Sequence, residues 1–141
     1  LARLRMIAAD QEDADGTLAE NPRFRRKMSD VEIQIVTLEA TMLKLLAQQV
    51  QGKTPGPEAS FIKIRGTEID QLLTELTMEA VGPYVAPFAP ESLDTGWNEE
   101  PIGPDYAAPV APGYFNTRKV TIYGGSNEIQ KNIIAKHVLG L

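Results

Sequence analysis

An all-α fold, an antiparallel four-helix bundle, is predicted by three observations. Every long segment repeats its apolar residues with a period near 3.6; glycine and proline punctuate the chain between those segments; and no stretch alternates apolar and polar residues as a half-buried strand does. The 141 residues suffice for one domain, 1–141, with a real core.

A first helical segment is expected over roughly 1–13, where Leu1, Leu4 and Ile7 recur at helical spacing, and Asp15-Gly16-Thr17 breaks it. The stretch Gln11 to Pro22 superficially resembles a calcium loop, but Gln11 and Pro22 stand where the two essential carboxylates would be. A polar turn between helices is the better reading. The second helix opens on Asn21-Pro22, a capping side chain followed by a proline whose missing N–H is harmless there. Phe24, Met28, Val31, Ile35, Leu38, Met42, Leu45 and Leu46 form its apolar stripe. Ile33, Val36 and Leu43 widen that stripe and predict neighbours on more than one side. It ends near Gln51-Gly52, before the turn Lys53-Thr54-Pro55-Gly56.

The third helix runs from about Pro57-Glu58 to Val81, with Ile62, Ile69, Leu72, Leu73, Leu76, Ala80 and Val81 on its buried face, and Gly82-Pro83 stops it. Gly66 inside it costs about 1 kcal/mol relative to alanine, which points to close helix–helix contact. Residues 82–113 hold seven of the ten prolines and the lone tryptophan, Trp97. This proline-rich loop is expected to pack down through Tyr84, Phe88, Trp97 and Tyr106. A fourth helix follows Pro112 and halts at Gly124-Gly125. The fifth runs from Ser126 or Asn127 to about Leu139, with Ile129, Ile133, Ile134 and Val138 inward, and Gly140 stops it.

Composition excludes several classes. A net charge of −5 opposes nucleic-acid binding, and the basic cluster Arg23, Arg25, Arg26 and Lys27 reads as a solvated helix start. No apolar run reaches the length of a membrane span, and no signal peptide is visible. With no cysteine there are no disulfides or thiolate sites, and the lone histidine, His137, has no partners for a metal site or a triad. No metal is expected. Met6, Met28, Met42 and Met78 read as core filler, and Glu68, Asp70, Glu75 and Glu79 as a wet helix face.

The residues from Tyr123 onward carry the chemical message. Two glycines permit a sharp bend and the close approach of another molecule. Ser126 can cap the next helix, leaving N–H groups around Asn127 to Ile129 directed at an anion. By itself, a Gly-Gly-Ser sequence between helices is more often only a turn.

The full run Arg118-Lys119-Val120-Thr121-Ile122-Tyr123-Gly124-Gly125-Ser126-Asn127-Glu128-Ile129-Gln130-Lys131-Asn132-Ile133-Ile134-Ala135 closely resembles the C-terminal signature of acyl-CoA dehydrogenases. The resemblance is specific over about 112–141 and diffuse over 22–82. It implies the family's C-terminal helical domain, with the N-terminal helical domain and the middle β-domain absent from this chain, in keeping with its abrupt start at Leu1. It implies an FAD-dependent, oligomeric, cytoplasmic bacterial enzyme of acyl-CoA β-oxidation. Such enzymes remove an α-proton and a β-hydride from an acyl-CoA, with electron-transferring flavoprotein as electron partner.

Carried over by residue, Gly124 occupies the position where many members keep the glutamate base, so no catalytic residue is expected there. Its N–H could donate to the thioester carbonyl. Gly124 and Gly125 would lie against the substrate, and Ser126, Asn127 and Glu128 would touch FAD. Members that place the base on the preceding helix have it at a position that falls before Leu1.

Two motifs depart from the family pattern. Glu20-Asn21-Pro22-Arg23-Phe24 stands where an Arg-x-x-Phe-Gly motif is usual, and the proline-rich loop replaces a Gly-Gly-x-Gly. Both departures fit the members built from unlike subunits, and the Gly-Gly-Ser wording with the proline-rich insert is similar to large subunits of bacterial dehydrogenases for dicarboxylyl-CoA or similar substrates, pimeloyl-CoA among them. A catalytic subunit and a non-catalytic structural subunit of a hetero-oligomer are both compatible with these residues. Alone, the 141 residues are expected to be inactive.

Overall fold

The computed structural model describes residues 1–54 and 56–141; Pro55, part of the expected turn after the second helix, lies outside the described residues. Five α-helices are present among the described residues: α1 (Ala2–Asp10), α2 (Pro22–Val50), α3 (Glu58–Val81), α4 (Val110–Thr117) and α5 (Asn127–Ile134). The class is all-α, as the periodicity predicts. The chain divides into two compact units, Leu1–Ser29 with Gln71–Arg118, and Asp30–Asp70 with Lys119–Leu141. The helices α2 and α3 contribute a segment to each.

In the first unit α1 ends at Asp10, earlier than its periodicity suggests, because the chain turns into a small antiparallel ladder. Strands β1 (Glu12–Asp13) and β2 (Gly16–Thr17) pair Glu12 with Thr17 and Asp13 with Gly16. The Asp13 carboxylate accepts from the Asn21 amide at 2.6 Å, and the Thr17 N–H donates to the Glu20 carboxylate at 2.9 Å. These acidic groups are thus spent on local turn geometry, in agreement with the turn reading of this loop. Asn21 Oδ1 accepts from the backbone N–H groups of Arg23 and Phe24, so α2 starts on the cap its sequence predicts. Leu4, Ile7, Ala8, Phe24, Leu76, Ala80, Val81, Ala107 and Val110 are the buried apolar residues of this unit.

Short 3₁₀ turns at Gly82–Val85 and Pro90–Leu93 break up the proline-rich segment. Tyr106 anchors it: its hydroxyl donates to Asp10 Oδ2 at 2.6 Å and accepts from Gln11 Nε2 at 2.5 Å, while the adjacent Ala107 is buried. The Tyr84 ring lies where a side chain on Gly103 would be, and Tyr84 and Trp97 line one shallow pocket. Phe88 departs from the expected packing, being 86 % exposed.

Helix α4 begins two residues before Pro112, which is harmless because first-turn N–H groups have no acceptor within the helix. A 3₁₀ turn, Arg118–Thr121, follows it. Arg118 ties this end to α3, donating to Gln71 O at 2.8 Å, Thr74 Oγ1 at 2.9 Å and Glu75 Oε1 at 2.7 Å, with its guanidinium 4.3 Å from the Tyr114 ring centroid.

In the second unit α2 and α3 run antiparallel: Gln34 accepts from Arg65, and Leu38 shares a surface groove with Phe61. The end of α2 is a Schellman cap, in which Gly52, at φ +81°, donates to Gln49 O and Lys53 donates to Gln48 O. The final helix widens at Ala135–Leu139 into a π-helical turn, and Gly140 closes it at φ +72°. Val31, Ile64 and Ile69 are buried here.

The expected inward faces are covered only in part. Met42, Leu46, Ile129 and Val138 are exposed, as are Ile33, Val36 and Leu43. The periodicity is there, but these described residues supply too little surface to cover both sides of α2 and α5. For the same reason the methionines are not core filler: Met6 and Met42 are exposed, and Met28 and Met78 only half-buried. A methyl on Gly66 would meet Leu38 at 3.8 Å, an ordinary van der Waals contact, so close packing within this chain does not require that glycine.

Candidate functional site

The candidate site is the turn from Tyr123 to Glu128 at the start of α5. Gly124 and Gly125 take φ values of +62° and +84°, left-handed conformations that glycine adopts without strain. Both are exposed. A methyl built on Gly124 would meet nothing among the described residues within 4 Å, whereas one on Gly125 would meet the Gln130 amide, so the open backbone is at Gly124.

Ser126 is the N-cap, and its Oγ accepts from the Ile129 N–H at 3.4 Å. The Gln130 amide donates to Gly124 O at 2.9 Å, closing the turn from the other side. Glu128 is exposed, and its carboxyl sits below its ordinary range. The first cause is a hydrogen bond to its own backbone N–H, then one to Ser126, with the charges of Lys131 and Lys63 adding to them. The N–H groups expected to face an anion are therefore partly engaged from within the chain.

Asn127 is placed differently from its neighbours. It is buried, and its Oδ1 accepts from the Lys63 ammonium at 2.7 Å while its Nδ2 donates to Thr67 Oγ1 at 3.2 Å. Lys63 also donates to Thr121 O at 2.9 Å. The Asn127 side chain is thus turned toward α3. Lys63 and Thr67 were not legible as site residues. Their only signal is the i, i+4 spacing of two polar side chains on a helix with apolar neighbours.

His137 is exposed in the terminal π turn, and no group of three or more histidine or acidic side chains suited to a metal occurs among the described residues. No helix of the described residues is long and apolar enough to cross a membrane.

A family model described as "Acyl-CoA dehydrogenase, C-terminal domain" matches residues 1–139. The chain belongs to this family. Two curated relatives, both called "Acyl-CoA dehydrogenase IpdE1", match over a 28-residue stretch. The one from Mycobacterium tuberculosis is 75 % identical there, and the one from Mycolicibacterium smegmatis 71 %. Each match covers 20 % of this chain and 7 % of the relative. The fold is similar to a chain in the crystal structure of the ChsE4-ChsE5 complex from Mycobacterium tuberculosis, with a TM-score of 0.73 and 26 % identity. That likeness spans 99 % of this chain and 34 % of the solved one. The chain thus spans about a third of the length of that solved chain, and its curated matches reach 7 % of the relatives' length.

Proposed function

We propose that this domain forms one wall of the flavin and thioester site of an acyl-CoA dehydrogenase subunit and contributes contacts between subunits. The observation that carries the reading is the exposed, left-handed Gly124-Gly125 pair, open beside Gly124, at the capped start of α5 in a chain of this family. Space beside Gly124 and the absence of side chains there suit the approach of a flat ring system and a thioester. FAD, when bound, would accept the substrate's β-hydrogen as hydride. The backbone around Gly125, with Ser126 and Glu128, would hold it, and Asn127 would serve by keeping the turn in place. The Gly124 N–H would donate to the thioester carbonyl and favour the enolate charge that develops when the α-proton leaves. Gly124 has no group to take that proton, so the base belongs to residues outside this chain's turn.

One observation favours a second reading, a non-catalytic subunit of a hetero-oligomer: the missing carboxylate at Gly124 is what such a subunit would show. The exposed apolar residues of α2 and α5 support subunit contacts under either reading.

The full-length protein, alone and with its partner subunit, discriminates between them. Flavin absorbance together with acyl-CoA-dependent reduction of an electron acceptor such as electron-transferring flavoprotein supports the catalytic reading. Flavin-free protein that assembles with an active partner supports the structural one. The 141 residues alone are expected to show no turnover, and measurable turnover from them would refute the division of labour proposed here.

A further inference from the structure

We propose that Lys63 is a positioning residue that holds the Tyr123–Ser126 turn at both ends through Thr121 and Asn127. A single ammonium donates to Thr121 O at 2.9 Å, just before the turn, and to Asn127 Oδ1 at 2.7 Å, just after it. Thr67, one helical turn further along α3, completes the clamp. Its hydroxyl donates to Ile64 O at 2.9 Å and therefore accepts from Asn127 Nδ2 at 3.2 Å. The turn residues thus reach α3 through one lysine and one threonine.

Lys63 is half-buried, its ammonium bonds two neutral oxygens beside the positive end of α5, and the Glu128 carboxylate is near enough to feel its charge. The same arrangement suits a turn that must stay fixed and favour negative charge. Lys63 adds positive potential at the backbone proposed to meet the thioester oxygen, an effect that the exposed Glu128 offsets in part. This inference rests on the proposed function for its catalytic consequence, while the clamp itself rests on geometry alone.

The test uses the full-length protein carrying Lys63→Met, which keeps the stem and removes the donors, and Lys63→Arg, which keeps charge and donors. Backbone amide exchange over 122–129 is expected to rise about tenfold in Lys63→Met, with α2 unchanged, and to return toward the parent value in Lys63→Arg. In turnover, kcat is expected to fall about tenfold while KM for the acyl-CoA stays within about twofold. If Lys63→Met does not fold, the isosteric Thr67→Val carries the same exchange test.

Unchanged exchange over 122–129 overturns the clamp. Raised exchange with unchanged kcat overturns the positioning role. A parent protein with no acyl-CoA turnover, alone or with its partner, instead overturns the proposed function, and the exchange result still decides the clamp.

Discussion

Gly124 and Asn127 are three residues apart, and the chain treats them in opposite ways. Gly124, at φ +62°, offers backbone and open space; Asn127 is withdrawn into hydrogen bonds with α3. The first is legible in the sequence, because a glycine pair between helices carries its conformational meaning locally. The second is not, since whether an asparagine at a helix start faces outward depends on what α3 places beneath it, more than fifty residues away in the chain. Gly66 teaches the same lesson with the opposite sign. It suggests a close helix approach, yet a methyl there meets Leu38 only at ordinary contact distance. Gly66→Ala is accordingly expected to stabilise the protein by about 0.5–1 kcal/mol. Urea unfolding of the variant checks this, and destabilisation would mean that another surface presses on this part of α3.

Among the elements, the proline-rich segment depends most on a few contacts. Tyr106 ties it to the end of α1, and burial, followed by the hydrogen bond to Asp10, raises the Tyr106 hydroxyl above its ordinary pKa of 10.0. A raised folded-state pKa means that the neutral form is favoured by folding. The stabilisation is therefore fully present below pH 10 and is lost as pH rises through the folded-state value. Tyr106→Phe, which keeps the ring and removes the hydroxyl, is expected to speed proteolytic cutting within 82–109 at neutral pH and to abolish further loosening above pH 10. Limited proteolysis across pH measures both, and equal cutting rates for parent and variant would remove the anchor from the account.

The acidic side has the reverse sign. Asp13, lowered chiefly by the Asn21 amide, and Glu128, lowered chiefly by its own N–H, stabilise their turns above the ordinary carboxylate range and cease to do so as pH falls through their folded-state values. Arg118 plays the corresponding part for the end of α4. Its place in the family signature is visible in the sequence, but its contacts with Gln71, Thr74 and Glu75 are not.

For the molecule as a whole, the balance of apolar surface is the dominant fact. Val36 and Leu43 on α2 are 58 % and 60 % exposed, and Ile122 and Leu139 near the C-terminus 66 % and 67 %. Surface of this kind is costly in water and is normally covered by another chain or domain. The 141-residue chain is therefore expected to self-associate, with its sedimentation coefficient rising with concentration. Val36→Lys combined with Leu43→Lys should shift it toward monomer without loss of helical circular dichroism. A parent chain that remains monomeric at every concentration would count against these residues as contact surface.

The sequence by itself determined the all-α class, the order of the helices, the Asn21 and Ser126 caps, and the family, since periodicity, capping and a contiguous signature are local properties of the chain. The tertiary structure alone decided which apolar faces are covered, that the loop before α2 closes into a small ladder, that Tyr106 anchors the proline-rich segment, and that Lys63 and Thr67 hold the turn. Each of these depends on a partner distant in sequence or on surface that must be supplied from elsewhere. A pattern of residues records a preference to be buried, while only the packed chain shows whether anything is there to bury it.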